Sequence, residues 1–323
     1  MDRGVVGVGI DIGGGSTKIG LVNHDGEVLV QEKIITPSDA NPNTLIHSYI
    51  DQVKRWQKEF VNYQFTGVGV GVPGHVIDNH RSTDVCNLPF LNKFPIAQEI
   101  ESYLKLPVWI ENDASYAGIG EFRYGSGQKA ERFLMATLGT GIGLTCIING
   151  KLQVTANGTL GDIGHLIVDK DLKYQCRKGC HGCVESVASG EAINRDVLVI
   201  ARKHPDSYLG QMKLAGERMP TVRDLIEGSF VGDKFCLEKL DETANWIGLW
   251  ACNVIQIFGP SHMAFGGGWS VAGKPFIDKI YNRAKFLGID TYFENITFIQ
   301  AMLGNQAGVI GAGITGLEIG KKQ

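Results

Sequence analysis

The chain has 323 residues, 43% of them hydrophobic and 20% charged, and a formal net charge of −3 at neutral pH. That balance excludes a disordered or fibrous protein and leaves no electrostatic footprint for nucleic acid. No uninterrupted apolar run reaches membrane-spanning length, and the opening residues pass straight into a strand-like run without a cleavable leader. With cysteines too scattered for a secreted disulfide framework, these features predict a cytoplasmic protein with neither a membrane nor a nucleic-acid partner. The length allows two lobes, each with its own core.

In chain order, residues 4–12 read as a buried strand that runs into the glycine cluster Gly13-Gly14-Gly15-Ser16-Thr17-Lys18. Strands at Ile19–Val22 and Val28–Val30 follow, so the glycines join two strands and no helix stands behind them. That excludes a Rossmann fingerprint and a Walker loop, both of which need the helix. Backbone N–H groups of such a turn can still cradle phosphate oxygens, helped by the Ser16 and Thr17 hydroxyls. A helical stripe covers 44–62 (Leu45, Tyr49, Val53, Trp56, Phe60). A buried strand at 67–72 ends in Pro73-Gly74, and a mobile polar loop is expected through Cys86-Asn87-Leu88. Val108–Ile110 reads as a short buried strand leading into Glu111-Asn112-Asp113-Ala114. Polar groups past the end of a buried strand occupy the place where α/β proteins hold ligands, and Asn112-Asp113 also suit a helix N-cap before 114–121.

The opening pattern then recurs. A strand at 133–138, a Gly139-Thr140-Gly141-Ile142-Gly143 turn and a strand at 144–148 repeat strand, glycine turn, strand. The duplication suggests two similar lobes that grip one phosphate chain between their turns. Residues 157–185 gather Asp162, His165, Cys176, Cys180, Cys183 and Glu185. Three cysteines with a nearby histidine suggest tetrahedral zinc, while the flanking polar groups suggest hydroxyl recognition. Helices are expected over 185–203 and 234–258, the latter with Leu237, Leu240, Trp246, Ile247, Trp250, Val254 and Ile257 inward. A third turn, Gly266-Gly267-Gly268, suits the close approach of a flat ring such as adenine, and 304–313 reads as a small-residue helix packed tightly on a neighbour.

With those motifs in place, the sequence resembles the ROK family of sugar kinases and sugar-responsive repressors, within the actin-like ATPase superfamily. Ile10–Gly14 through Lys18 resembles its first phosphate motif, with a turn lengthened by Gly15-Ser16. Leu138–Gly143 is similar to the second, Phe265–Gly268 to the adenosine motif, Glu111–Ala114 to the catalytic motif and Gly161–His165 to the Glu-x-Gly-His sugar motif. The resemblance implies an α/β fold of two ribonuclease H-like lobes with a central cleft. The N-terminal lobe would span 1–114 and be completed by a C-terminal helix at 305–323; the C-terminal lobe would span 115–304.

It also implies roles. Asp113 would be the general base for ATP-dependent phosphorylation of a hexose hydroxyl, glucokinase-type, at the 6-hydroxyl of glucose; N-acetylhexosamine and fructose kinases are alternatives within the family. A non-catalytic sensor or repressor relative is disfavoured, because a first strand starting near Val5 leaves no room for a winged helix. Polyphosphate-using relatives share the lengthened first turn, but the cysteine cluster argues against them. Sugar contacts would come from Gly74, Asn87, Asn112, Asp113, Asp162, His165 and Glu185. ATP contacts would come from Asp11, Gly13 to Lys18, Gly139, Thr140, Gly141 and Gly266 to Gly268. Asp11 would orient Mg²⁺ through water, and a homodimer is implied.

Two departures stand out. Asp162 replaces the family glutamate and sets the carboxylate back by roughly a bond length, enough to lose a direct hydrogen bond or exchange it for a water. Lys178 occupies the second cysteine's place in Cys-x-Cys-Gly-x-x-Gly-Cys, and an ammonium has no lone pair for a metal. Cys180 is the substitute and His181 the weaker stand-in, so the expected Zn²⁺ ligands are His165, Cys176, Cys180 and Cys183.

Overall fold

A computed structural model describes residues 4–37, 41–85, 88–155, 158–216 and 218–321. Its contacts divide the chain into two units: Met1–Lys129 with Thr145–Gly161 and Met302–Gln323, and Ala130–Leu144 with Asp162–Ala301. The boundary passes through strand Ile142–Ile148, between Leu144 and Thr145.

The first sheet orders its strands Val28–Ile35, Ser16–Val22, Gly4–Ile12, Tyr63–Val72 and Val108–Asn112. The first three are antiparallel neighbours and the last two join in parallel, the ribonuclease H-like arrangement. Alternating valines and isoleucines (Val8, Ile10, Ile12; Val68, Val70, Val72) fill one core with Leu45, Tyr49, Val53 and Trp56 from helix Pro42–Glu59. On the other face, helix Ala307–Gly320 lies close against the sheet over glycines of both. A Cβ on Gly69 would stand 2.0 Å from the Ala312 carbonyl oxygen, and one on Gly311 would stand 1.9 Å from that of Tyr116. The small-residue helix expected over 304–313 starts later, at Ala307 after the 3₁₀ turn Gly304–Gln306, and runs on to Gly320; its glycines set its distance from the sheet.

The second sheet repeats the order with Lys151–Leu152, Ile142–Ile148, Arg132–Leu138, His262–Gly266 and Thr297–Gln300. His262–Gly266 pairs in parallel with both Arg132–Leu138 and Thr297–Gln300. Helix Lys234–Phe258 forms over the expected span. Its buried stripe is centred on Leu240, Ile247 and Val254, spaced seven apart. Leu237 and Ile257, expected inward, fall on the flanks of that stripe and are 37% and 64% exposed. Trp109, in a strand read as buried, is likewise 41% exposed. The single helix expected over 185–203 is two, Val184–Ala188 and Gly190–Lys203. Ser189 breaks it, because its extended backbone and hydroxyl cap the second helix by accepting from the Ala192 N–H. Among the described residues, no helix is long and apolar enough to cross a membrane.

Candidate active site

In the first unit, the chemistry gathers at one end of the sheet. Register places Asp11 opposite Gly71, and Gly71 opposite Glu111, so Asp11 and the Glu111-Asn112-Asp113 run share a sheet end. Asn112 ends its strand and caps helix Asp113–Tyr124: its side-chain oxygen accepts from the Ala114 N–H (3.0 Å) and the Ser115 N–H (3.2 Å). Its amide Nδ2 donates to the Gly74 carbonyl (3.1 Å), which pins the turn after the neighbouring strand. Asp113 thus starts a helix, with Oδ1 accepting from the Ala114 N–H at 2.9 Å.

Burial, and secondarily the negative charge of Asp11, push the Asp113 carboxyl up to about 7. That is where a base working near neutral pH should stand. Burial also raises Asp11, against the opposing pull of Lys18 at 3.5 Å. Lys18 Nζ donates in turn to the Asn305 carbonyl (2.9 Å). Gly308 leaves room for the Asp11 carboxylate, since a Cβ there would lie 2.8 Å from Asp11 Cγ. Glu111 is buried, accepts from the Asn112 N–H (2.8 Å) and is raised by burial.

The first glycine turn closes with Gly13 N donating to the Ser16 carbonyl (3.1 Å) and leaves Gly14 and Gly15 exposed. Thr17 departs from expectation. It lies one residue along a strand that alternates its faces, so its hydroxyl points into the core, bonded to Thr36 Oγ1 (2.9 Å) and Tyr49 Oη (2.5 Å). Asn87 lies outside the described residues.

In the second unit, the Gly139-Thr140-Gly141 turn is bonded to the start of helix Gly190–Lys203. Gly190 N donates to the Gly139 carbonyl (2.8 Å) and Glu191 N to that of Thr140 (3.2 Å). Beside them is a cavity of about 700 Å³ walled by Thr140, Glu191, Asn194, Val222, Gly268 and Trp269, with Arg177 and Arg223 also reaching it. Gly267, at φ +86°, passes so close to Leu138 that a Cβ would meet its carbonyl oxygen at 2.3 Å. Glu185, expected to face a sugar, places Oε2 on the same glycine turn, where it accepts from the Ile142 N–H at 2.9 Å.

The four expected metal ligands come together. His165 ends the 3₁₀ turn Gly161–His165, which Trp250 Nε1 holds by donating to the Ile163 carbonyl (2.9 Å). Its Nδ1 lies 3.6, 3.3 and 3.8 Å from Sγ of Cys176, Cys180 and Cys183. All four donor atoms lie within 4.8 Å of one another. Tetrahedral zinc, with bonds of about 2.3 Å to sulfur and about 2.0–2.1 Å to nitrogen, calls for N···S edges near 3.6 Å, so the donors fit. Burial raises the Cys180 and Cys183 thiols; the neighbouring sulfurs add to this at Cys180, whereas at Cys183 hydrogen bonds from Cys180 and the Ser186 N–H oppose it. A thiol-rich cluster of this kind gives up its protons to a bound cation. His181 is exposed and outside the cluster. Lys178, instead of lying among the sulfurs, turns to Asp162, with Nζ 3.2 Å from Oδ1.

A model of the ROK family matches residues 7–317. The chain belongs to the ROK family. Among ROK relatives, the glucokinase of Halalkalibacterium halodurans is 30% identical over 309 residues, which are 95% of this chain and 93% of that protein. The glucokinase of Streptomyces coelicolor is 30% identical over 314 residues, covering 94% and 95%. A crystal structure of a ROK glucokinase from Streptomyces griseus, in complex with glucose and AMPPNP, superposes with a TM-score of 0.79 at 28% identity over 97% of this chain and 99% of that one. Within this ROK chain, both departures from the family pattern, Asp162 and Lys178, meet in a single ion pair. Sequence reasoning missed the cavity wall contributed by Arg177, Glu191 and Asn194. The one signal for it was Ser189-Gly190, a cap followed by a residue able to touch the glycine turn.

Proposed function

We propose that this protein is an ATP-dependent hexose kinase of the glucokinase type that phosphorylates the 6-hydroxyl of glucose with Asp113 as general base. The observation that carries the reading is Asp113, a carboxylate raised to about 7 at the end of a buried strand and held by the Asn112 cap. The glucokinase relatives supply the substrate class. Asp113 takes the hydroxyl proton as that oxygen attacks the γ-phosphorus; the bond from γ-phosphorus to the β-γ bridging oxygen breaks, and ADP leaves. The Gly13–Ser16 and Gly139–Gly141 turns present backbone N–H groups to the phosphates. The 700 Å³ cavity at Gly268 and Trp269 is sized for the nucleoside.

Asn112, Gly74, Asp162, His165 and Glu185 are the hydroxyl partners, with His165 turning Nδ1 to the sulfurs and leaving Nε2 for the sugar. Asp11 would hold Mg²⁺ through water, supplying charge neutralisation at the phosphates. His165, Cys176, Cys180 and Cys183 would hold Zn²⁺, which fixes the tautomer and aim of the imidazole. Asp162 is engaged by Lys178, so its hydroxyl contact is made by a paired carboxylate, and N-acetylhexosamine or fructose kinase activity is the alternative at this position. Three of the cysteines gather with His165 in a metal-type cluster, which supports a reducing cytoplasm. The family resemblance supports a homodimer, readable by light scattering.

The pH profile tests this reading. Asp113 is a base only when ionised, so kcat/KM for glucose rises with pH, about tenfold per unit below about 7, and levels off above. A flat profile across that range, or no phosphorylation of any hexose, contradicts it.

A further inference from the structure

The cavity beside the second glycine turn carries a cation that neither the glycine turns nor the metal cluster accounts for. Helix Gly190–Lys203 forms one wall. At its first turn, the backbone N–H groups of Gly190 and Glu191 are bonded to the Gly139 and Thr140 carbonyls, which fixes that end beside the glycine turn. One turn further along the same helix, Asn194 Oδ1 accepts from the Val222 N–H at 2.8 Å, which ties the wall to Val222. The Glu191 backbone is therefore bonded directly to the glycine turn to which the phosphates are assigned.

Arg177 stands beside Glu191. Its Nε lies 2.9 and 2.8 Å from the two carboxylate oxygens of Glu191. Its backbone is set by the turn that gathers the sulfurs, in which Gly179 N donates to the Cys176 carbonyl (3.0 Å) and Cys176 N to that of Cys180 (3.0 Å). The cavity's second arginine, Arg223, follows Val222 and pairs with Glu227 at 3.1 Å. The two cations therefore have different partners, and of the two carboxylates only Glu191 is bonded through its backbone to the glycine turn.

We infer that Arg177 is a nucleotide-binding residue that contacts the polyphosphate chain of a nucleoside triphosphate, aimed by Glu191. Glycine-turn amides supply dipoles to phosphate oxygens, whereas a guanidinium supplies a full charge and a planar fork that matches them. The fork has five N–H donors, of which the Glu191 contact uses Nε. Glu191 also offsets the charge of Arg177 when no nucleotide is bound, and its own backbone bond to Thr140 ties the pair to the phosphate turn. The identity of the ligand as ATP and the phosphate role of the glycine turn rest on the kinase reading above; the placement of Arg177 and Glu191 on the cavity wall does not.

The test is calorimetric titration of the full chain with AMPPNP and with adenosine, for wild type, Arg177→Ala and Arg177→Lys, with zinc content measured alongside. Arg177→Ala is expected to weaken AMPPNP about 10–100-fold, the scale of a lost charge-assisted hydrogen bond. Adenosine binding and zinc content stay as in wild type, and Arg177→Lys falls in between. In turnover, KM for ATP rises while KM for glucose does not. Unchanged AMPPNP affinity in Arg177→Ala, or an equal loss for AMPPNP and adenosine, overturns the inference, the second outcome making Arg177 a wall residue only. Arg177-dependent AMPPNP binding without hexose turnover supports the inference while removing the kinase reading. A wild type that binds neither compound removes both.

Discussion

Replacing Asp113 by asparagine lowers kcat for hexose phosphorylation by about 10²–10⁴-fold, the share a positioned general base contributes, and leaves KM for ATP close to wild type. Asparagine keeps the shape of the first residue of helix Asp113–Tyr124 and leaves the Asn112 cap untouched, so the loss is chemical. Stability separates this from a folding effect. The folded-state pKa of Asp113, about 7, lies above the ordinary 3.8, so the folded state favours the protonated form. The stabilisation is present below the ordinary value and lost as pH rises through about 7, which leaves an ionised, buried carboxylate beside Asp11 at alkaline pH. A neutral asparagine relieves that charge, so the variant melts at a higher temperature than wild type at alkaline pH while being nearly inactive. A variant that lost both activity and melting temperature would make Asp113 structural.

The second large effect is at the metal cluster. Cys180→Ser removes one of four converging donors and leaves a hydroxyl, which has neither the charge nor the softness of a thiolate. Losing an outer partner of a metal ligand already costs about 10–100-fold in affinity; losing the ligand costs more. Zinc measured by metal analysis therefore falls well below the value of about one per chain expected of wild type, and the melting temperature falls with it. His165 then loses the nearest of the three sulfurs around Nδ1, so KM for the sugar rises more than KM for ATP. His181→Ala, outside the cluster, keeps its zinc. Full zinc in Cys180→Ser would remove Cys180 from the ligand set.

What could be read from the sequence followed from local rules. Strand, glycine turn, strand needs only short-range pattern, and both sheets begin with it. Asn112 reads as a cap because its side chain suits the next helical turn, and it caps. The cysteines and His165 were legible by residue type, and Cys180 by the exclusion of Lys178. What stayed hidden depends on which way a face turns in three dimensions. Thr17 carries the right hydroxyl on the inward face of its strand. Leu237 and Ile257 are apolar but off the stripe that packs. Lys178 and Asp162 are 16 residues apart, and nothing local pairs them; their meeting depends on how the cysteine turn folds back over the Gly161–His165 turn. Arg177 was hidden for the same reason, since its partner Glu191 is 14 residues away and nothing local pairs them.

The central claim is phosphoryl transfer from ATP to a hexose hydroxyl, and phosphorus NMR of purified protein with Mg-ATP and glucose reads it directly. The expected spectrum shows ADP and a glucose 6-phosphate monoester growing in equal amounts, with glucose the fastest acceptor in a hexose panel. A spectrum in which ATP persists, or in which ADP appears only with inorganic phosphate, contradicts the account.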